Sequence, residues 1–90
     1  MNKDNILGKV IKTLRKEKGL TQKELSELAC IGYDNLRKIE TGRVNNPSFF
    51  VIMMICVGLK ISMNQFCYKM SQENLKNFKP IYNYQPYVTA

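Results

Sequence analysis

Between Asp4 and Lys18 the apolar residues Ile6, Leu7, Val10, Ile11 and Leu14 recur at helical spacing, while Lys9, Lys12, Arg15 and Lys16 fall toward the other sides. This period predicts an amphipathic helix. Gly19 stands where a left-handed residue would end it. The following stretch, Leu20-Thr21-Gln22-Lys23-Glu24-Leu25, carries two start signals at once. The Thr21 hydroxyl can accept an N–H inside the new helix while the Glu24 carboxylate reaches back to the N–H of Thr21, and Leu20 and Leu25 bracket this capping box as a hydrophobic staple. The second helix is expected to bury Leu25, Leu28 and Ala29 and to stop at Cys30-Ile31-Gly32. In the third, Leu36 and Ile39 are the only strongly apolar positions, while Tyr33, Asp34, Asn35, Arg37 and Lys38 are polar or amphipathic. One narrow edge packs and the rest faces out.

Gly42 stops the third helix, and Arg43-Val44-Asn45-Asn46 makes a polar loop up to Pro47-Ser48, a proline and a cap residue that open a fourth. The fourth helix carries the longest apolar run, residues 49–57, and is expected to close at Gly58 and Lys60. Ile61-Ser62-Met63-Asn64-Gln65-Phe66 repeats the capping box and staple for a fifth helix toward Met70. After Ser71 the helical period is lost among Phe78, Pro80, Tyr82, Tyr84, Pro86 and Tyr87, which predicts an extended tail, with Ile81 to Tyr84 a candidate short strand. The pattern predicts an all-α domain of five short helices over residues 1–70 and a polar, aromatic tail over 71–90.

Composition sharpens this picture. In 90 residues, 14 Lys and Arg oppose 7 Asp and Glu, a formal charge of +7 that favours anionic partners such as nucleic acid or a lipid surface without choosing between them. With no histidine in the chain, mechanisms that need imidazole as base or zinc ligand are excluded. Cys30, Cys56 and Cys67 are too far apart for a paired-cysteine metal motif and read as reduced, mostly buried thiols, without a metal or other cofactor. No pair of acids or Gly-rich phosphate loop suggests an enzyme. The run at 49–57 is well short of the about 20 residues that cross a bilayer, and no membrane partner is expected. Residues 1–13 mix charged and apolar positions without an export signal, so a cytoplasmic protein is expected.

Two short helices joined by a tight turn, the second polar over most of its circumference, form a helix-turn-helix unit at about residues 21–41. Such a unit suits double-stranded DNA: the leading helix turns its N-terminus to a phosphate, and the following one is narrow enough for a major groove about 12 Å wide. The residues Leu14-Arg15-Lys16-Glu17-Lys18-Gly19-Leu20-Thr21-Gln22-Lys23-Glu24-Leu25, Leu28-Ala29, Leu36, Ile39-Glu40-Thr41-Gly42-Arg43 and Asn46-Pro47-Ser48 together resemble the Xre/Cro-type, lambda-repressor-like helix-turn-helix family. The resemblance covers about residues 6 to 68. It implies a five-helix DNA-binding domain and a transcriptional repressor that binds a palindromic operator as a homodimer. Position by position it implies that Gln22 clamps a phosphate and helps order the recognition helix, with Thr21 beside it as a further DNA-binding residue at the leading helix. Tyr33, Asp34 and Lys38 fall at its base-reading positions, with Asn35 and Arg37 beside them, and Arg43 and Asn45 are implied as backbone contacts. Arg15 and Glu40 are implied as a structural ion pair. Where the family commonly has glycine in the turn this chain has Cys30, and where it has a Ser or Thr cap this chain has Gly32. Either the turn is strained at Cys30 or Gly32 has taken over part of the bend. The run at 49–57 is too apolar for every face to be hidden in a small domain, so an exposed stripe through Phe50, Met53 or Met54 would mark a protein partner, with a second copy of the chain favoured, meeting it through the fourth and fifth helices and the aromatic tail. A competing reading of the same features is an antitoxin or other protein-interaction module of this fold, gripping its partner through residues 49–57 or the tail.

Overall fold

The computed structural model describes residues 5–76, and the expected tail strand at 81–84 lies outside them. Among the described residues the chain forms five helices and no strand: α1 (Ile6–Glu17), α2 (Gln22–Ala29), α3 (Tyr33–Thr41), α4 (Phe49–Leu59) and α5 (Met63–Lys76). Each start is capped where the sequence places a cap. Thr21 Oγ1 accepts from the Glu24 N–H at 3.0 Å while Glu24 Oε1 accepts from the Thr21 N–H at 2.9 Å. Ser62 and Gln65 repeat the exchange at 3.0 and 2.8 Å ahead of α5, and Ser48 Oγ accepts from the Val51 N–H at 3.2 Å ahead of α4. These bonds satisfy amides that no helical carbonyl can reach.

The core lies where α1, α2, α3 and α4 meet, and its largest fully buried side chains are Ile11, Leu25, Leu36, Ile39, Ile55 and Leu59. Each contributes about 1.5–3 kcal/mol by leaving water. The fifth helix runs back along the first, with Lys69 to Glu17 at 3.9 Å and Glu73 to Lys9 at 3.2 Å fixing the antiparallel register. Two helix crossings are close enough to require glycine. A Cβ on Gly8 would lie 2.5 Å from the Ile39 carbonyl oxygen and 2.7 Å from that of Glu40, so α1 rests directly on the α3 backbone. A Cβ on Gly58 would lie 2.9 Å from Leu25 Cδ1 and 3.0 Å from the Ala29 nitrogen, where α4 crosses α2.

Several expectations are corrected. Gly58 does not close α4; it is an interior packing position, and the helix ends at Lys60, whose backbone is left-handed at φ 61. The fifth helix does not end near Met70 but continues to Lys76. It has a partner surface to follow: Met70 packs on the core and Glu73 reaches Lys9. Leu28 is 48% exposed rather than buried. At about 100° per residue the buried arc of α2 runs from Leu25 through Ala29 to Ser26, and Leu28 falls outside it on the other side. Polar Ser26 is accommodated because its hydroxyl donates to the Lys23 carbonyl at 2.7 Å. Of the three thiols only Cys56 is buried. Cys30 sits in an exposed turn, and Cys67, about a quarter turn of helix past inward-pointing Phe66, faces out. Burial pushes the Cys56 thiol up from its ordinary pKa, and nearby Cys67 adds to the shift.

Candidate nucleic-acid interface

The turn between α2 and α3 sets how the third helix is presented. Cys30 ends α2 with a left-handed backbone, φ 57 and ψ 40, and the Ile31 N–H donates to the Ser26 carbonyl at 3.0 Å, the wrap-around bond of a Schellman ending. Gly32 is ordinary extended backbone at φ −64 and ψ 138, and it offers α3 no side-chain cap. The bend therefore lies at Cys30, at a cost of roughly 1 kcal/mol for a residue that carries a Cβ.

Behind the turn, one buried carboxylate ties three helices together. Glu40 on α3 accepts from Arg15 Nε at 2.8 Å, from Arg15 Nη2 at 3.0 Å and from Gln22 Nε2 at 3.0 Å. Arg15 Nη1 also donates to the Leu20 carbonyl at 2.8 Å. The expected ion pair is present, and both side chains are nearly closed to solvent, at 9% and 2% exposed. Gln22 has a position that spacing alone does not reveal: at the first position of α2 its amide is already held by Glu40. Asn5, which sequence reasoning also passed over, donates from Nδ2 to the Glu40 carbonyl at 3.2 Å and fastens the start of α1 to the end of α3. It lies far from Glu40 in sequence and in no recognisable motif, so only the fold brings the two together.

So held, α3 buries Leu36, Ile39 and Glu40 and turns Tyr33, Asp34 and Arg37 outward, with half-buried Lys38 at the edge of the same face. The Arg37 guanidinium lies over the Tyr33 ring, 5.7 Å from its centre. Asp34 Oδ1 meets Arg37 Nη1 at 3.3 Å, and Asp34 Oδ2 meets Lys38 Nζ at 3.3 Å. The structure thus brings Tyr33, Asp34, Arg37 and Lys38 into one row, while half-buried Asn35 lies round the helix from that row, toward the packed side. Thr21 is exposed at the cap of α2, beside Gln22. Arg43 is exposed just past the left-handed Gly42 and has no ion-pair partner among the described residues. Asn45, two residues further on, lines a shallow groove with Ile6, Leu7, Met70, Ser71 and Asn74, against the start of α1 and the second half of α5.

A capped leading helix, a tight turn and a second helix whose polar row stands clear of the core define a DNA-binding helix-turn-helix domain of the regulatory kind. The helix-turn-helix family model HTH_3 matches residues 11–66, most of the five-helix unit, and the chain belongs to this Xre/Cro-like family. No curated protein and no solved structure matches the chain significantly. The fold is accordingly the all-α, lambda-repressor-like one that the sequence resemblance implied.

Proposed function

We propose that this chain is a cytoplasmic, sequence-specific transcriptional repressor that binds a palindromic operator as a homodimer. The observation that carries this reading is the outward row of α3, Tyr33, Asp34, Arg37 and Lys38, mounted on the buried Arg15–Glu40–Gln22 cluster. In this reading α3 enters the major groove, where that row meets base edges and Asn35, round the helix from it, stands aside. Thr21, Gln22, Arg43 and Asn45 serve the phosphates, which set register and affinity and carry no sequence information. The second copy packs on α4, where Phe49, Phe50, Met53 and Val57 form one stripe between 39% and 67% exposed. The same stripe supports a second reading, a protein-interaction module such as an antitoxin.

Selection from random duplexes at about 0.15 M salt, where non-specific attraction is partly screened, tests the proposal. The expected product is an inverted repeat with half-site centres about 10 base pairs apart. Lys38→Ala should relax base preference, whereas Arg43→Ala should weaken all sequences alike and lower the salt slope by about one. Enrichment of no sequence by a folded sample would overturn the DNA reading, and a stoichiometric protein co-purifying from the native host would then favour the interaction module.

A further inference from the structure

A carboxylate at the centre of a DNA-reading row needs an explanation. Asp34 is exposed on the outward face, where phosphates would repel it, yet one oxygen meets Arg37 and the other meets Lys38, each at 3.3 Å. The three side chains come from positions i, i+3 and i+4 of one helix, so they travel as a unit when the helix docks. Their unit charge is +1 rather than +2, which draws them less strongly to phosphate. What remains is a carboxylate with two cationic donors beside it on the same exposed helix face.

We propose that Asp34, Arg37 and Lys38 form a composite reader of a C·G base pair, Asp34 accepting from the cytosine amino group while Lys38 or Arg37 donates to guanine O6 and N7. The inference rests on the DNA-binding reading above and adds the base class that the row selects. In the major groove a C·G pair divides cleanly into a donor half, cytosine N4–H2, and an acceptor half, guanine O6 and N7. The cluster is the complement of that edge. An A·T pair instead sets the adenine amino group between two acceptors, N7 and thymine O4, with a methyl group beyond. A carboxylate placed there meets one donor and two repulsive neighbours. Away from a cytosine the Asp34 carboxylate loses water without gaining a donor, so the residue rejects wrong sites as much as it binds the right one.

The test compares wild type, Asp34→Asn and Asp34→Ala in parallel selections from random duplexes at about 0.15 M salt, with thermal melts to confirm that each is folded. Asp34 is exposed, so folding should be retained in both variants. Wild type should enrich a half-site with a C·G pair that it prefers over T·A by about 5- to 150-fold, the range of one good base contact. Asparagine pairs with adenine N6 and N7, so Asp34→Asn should move that position from C toward A. Asp34→Ala should weaken the preference there to what the guanine contact of Lys38 or Arg37 alone supplies, and keep the rest of the motif. If both variants enrich the wild-type motif unchanged and merely bind tighter, Asp34 only damps charge and the inference is overturned, while the DNA reading stands. A wild-type motif without a C·G pair in the half-site overturns it equally. Enrichment of nothing by wild type overturns the DNA reading, and the inference with it.

Discussion

The buried carboxylate of Glu40 offers the sharpest perturbation, because it accepts three donors and is 2% exposed. Glu40→Ala removes every one of those acceptors at once. Arg15, itself 9% exposed, would keep a single bond, from Nη1 to the Leu20 carbonyl at 2.8 Å. A guanidinium stranded in this way cannot regain its water without opening the junction of α1, α2 and α3. Breaking one side of a buried ion pair typically costs about 3–5 kcal/mol. Against a total stability of about 5–15 kcal/mol, that is a large share of what holds the domain folded. For a domain of this size each kcal/mol moves the melting temperature by roughly 4–8 °C, so the expected fall is at least about 12 °C. Urea unfolding followed by far-ultraviolet circular dichroism measures the loss, with Arg15→Met/Glu40→Leu as the companion variant. Replacing both partners with apolar residues removes the stranded charge as well as the attraction, so the double variant should recover most of the stability. A loss below about 1 kcal/mol for Glu40→Ala, or a double variant no more stable than either single one, would refute the reasoning.

Two further substitutions test the backbone. Gly58→Ala gains about 1 kcal/mol of helix propensity but sets a methyl group 3.0 Å from the Ala29 nitrogen and 3.1 Å from its Cβ, so overpacking of about 1–3 kcal/mol should leave a net loss of stability. A raised melting temperature would show that the α2–α4 crossing can open at little cost. Cys30→Gly should stabilise by about 0.5 kcal/mol, because relief of left-handed strain slightly exceeds the entropy that glycine adds to the unfolded chain. Cys30→Val should destabilise, since a β-branched residue is least tolerant of φ 57, and equal melting temperatures for the two variants would show that the turn is unstrained.

Much of this domain is legible before any coordinates, because the signals that start its helices act over four or five residues. Thr21 with Glu24, Ser62 with Gln65, and Ser48 ahead of α4 satisfy amides a few positions away, and each forms the bond that its spacing predicts. The outward row of α3 is legible for the same reason: helical periodicity alone separates Tyr33, Asp34 and Arg37 from Leu36 and Ile39. Even the pairing of Asp34 with Arg37 and Lys38 is local, at spacings of three and four.

What only the tertiary structure decided are the matters that depend on which neighbour a surface meets. Leu28 is exposed where burial was expected, and Ser26 is buried, because α4 crosses α2 at Leu25 and Ala29, and composition carries no record of that crossing. Gly58 reads as a helix stop, and Gly8 carries no signal of its own, until backbones from elsewhere in the chain are seen within about a methyl group of them. The extra length of α5 comes from the face of α1 on which it lies. Arg15 and Glu40, 25 positions apart, were implied by family resemblance, but the joining of Gln22 to that pair required three helices in place. By itself the sequence determined the helices, their caps and the polar row on α3, because those follow from contacts between near neighbours. Tertiary packing decided which side of each helix is buried and what holds the recognition helix in position, because those contacts close only when distant segments meet.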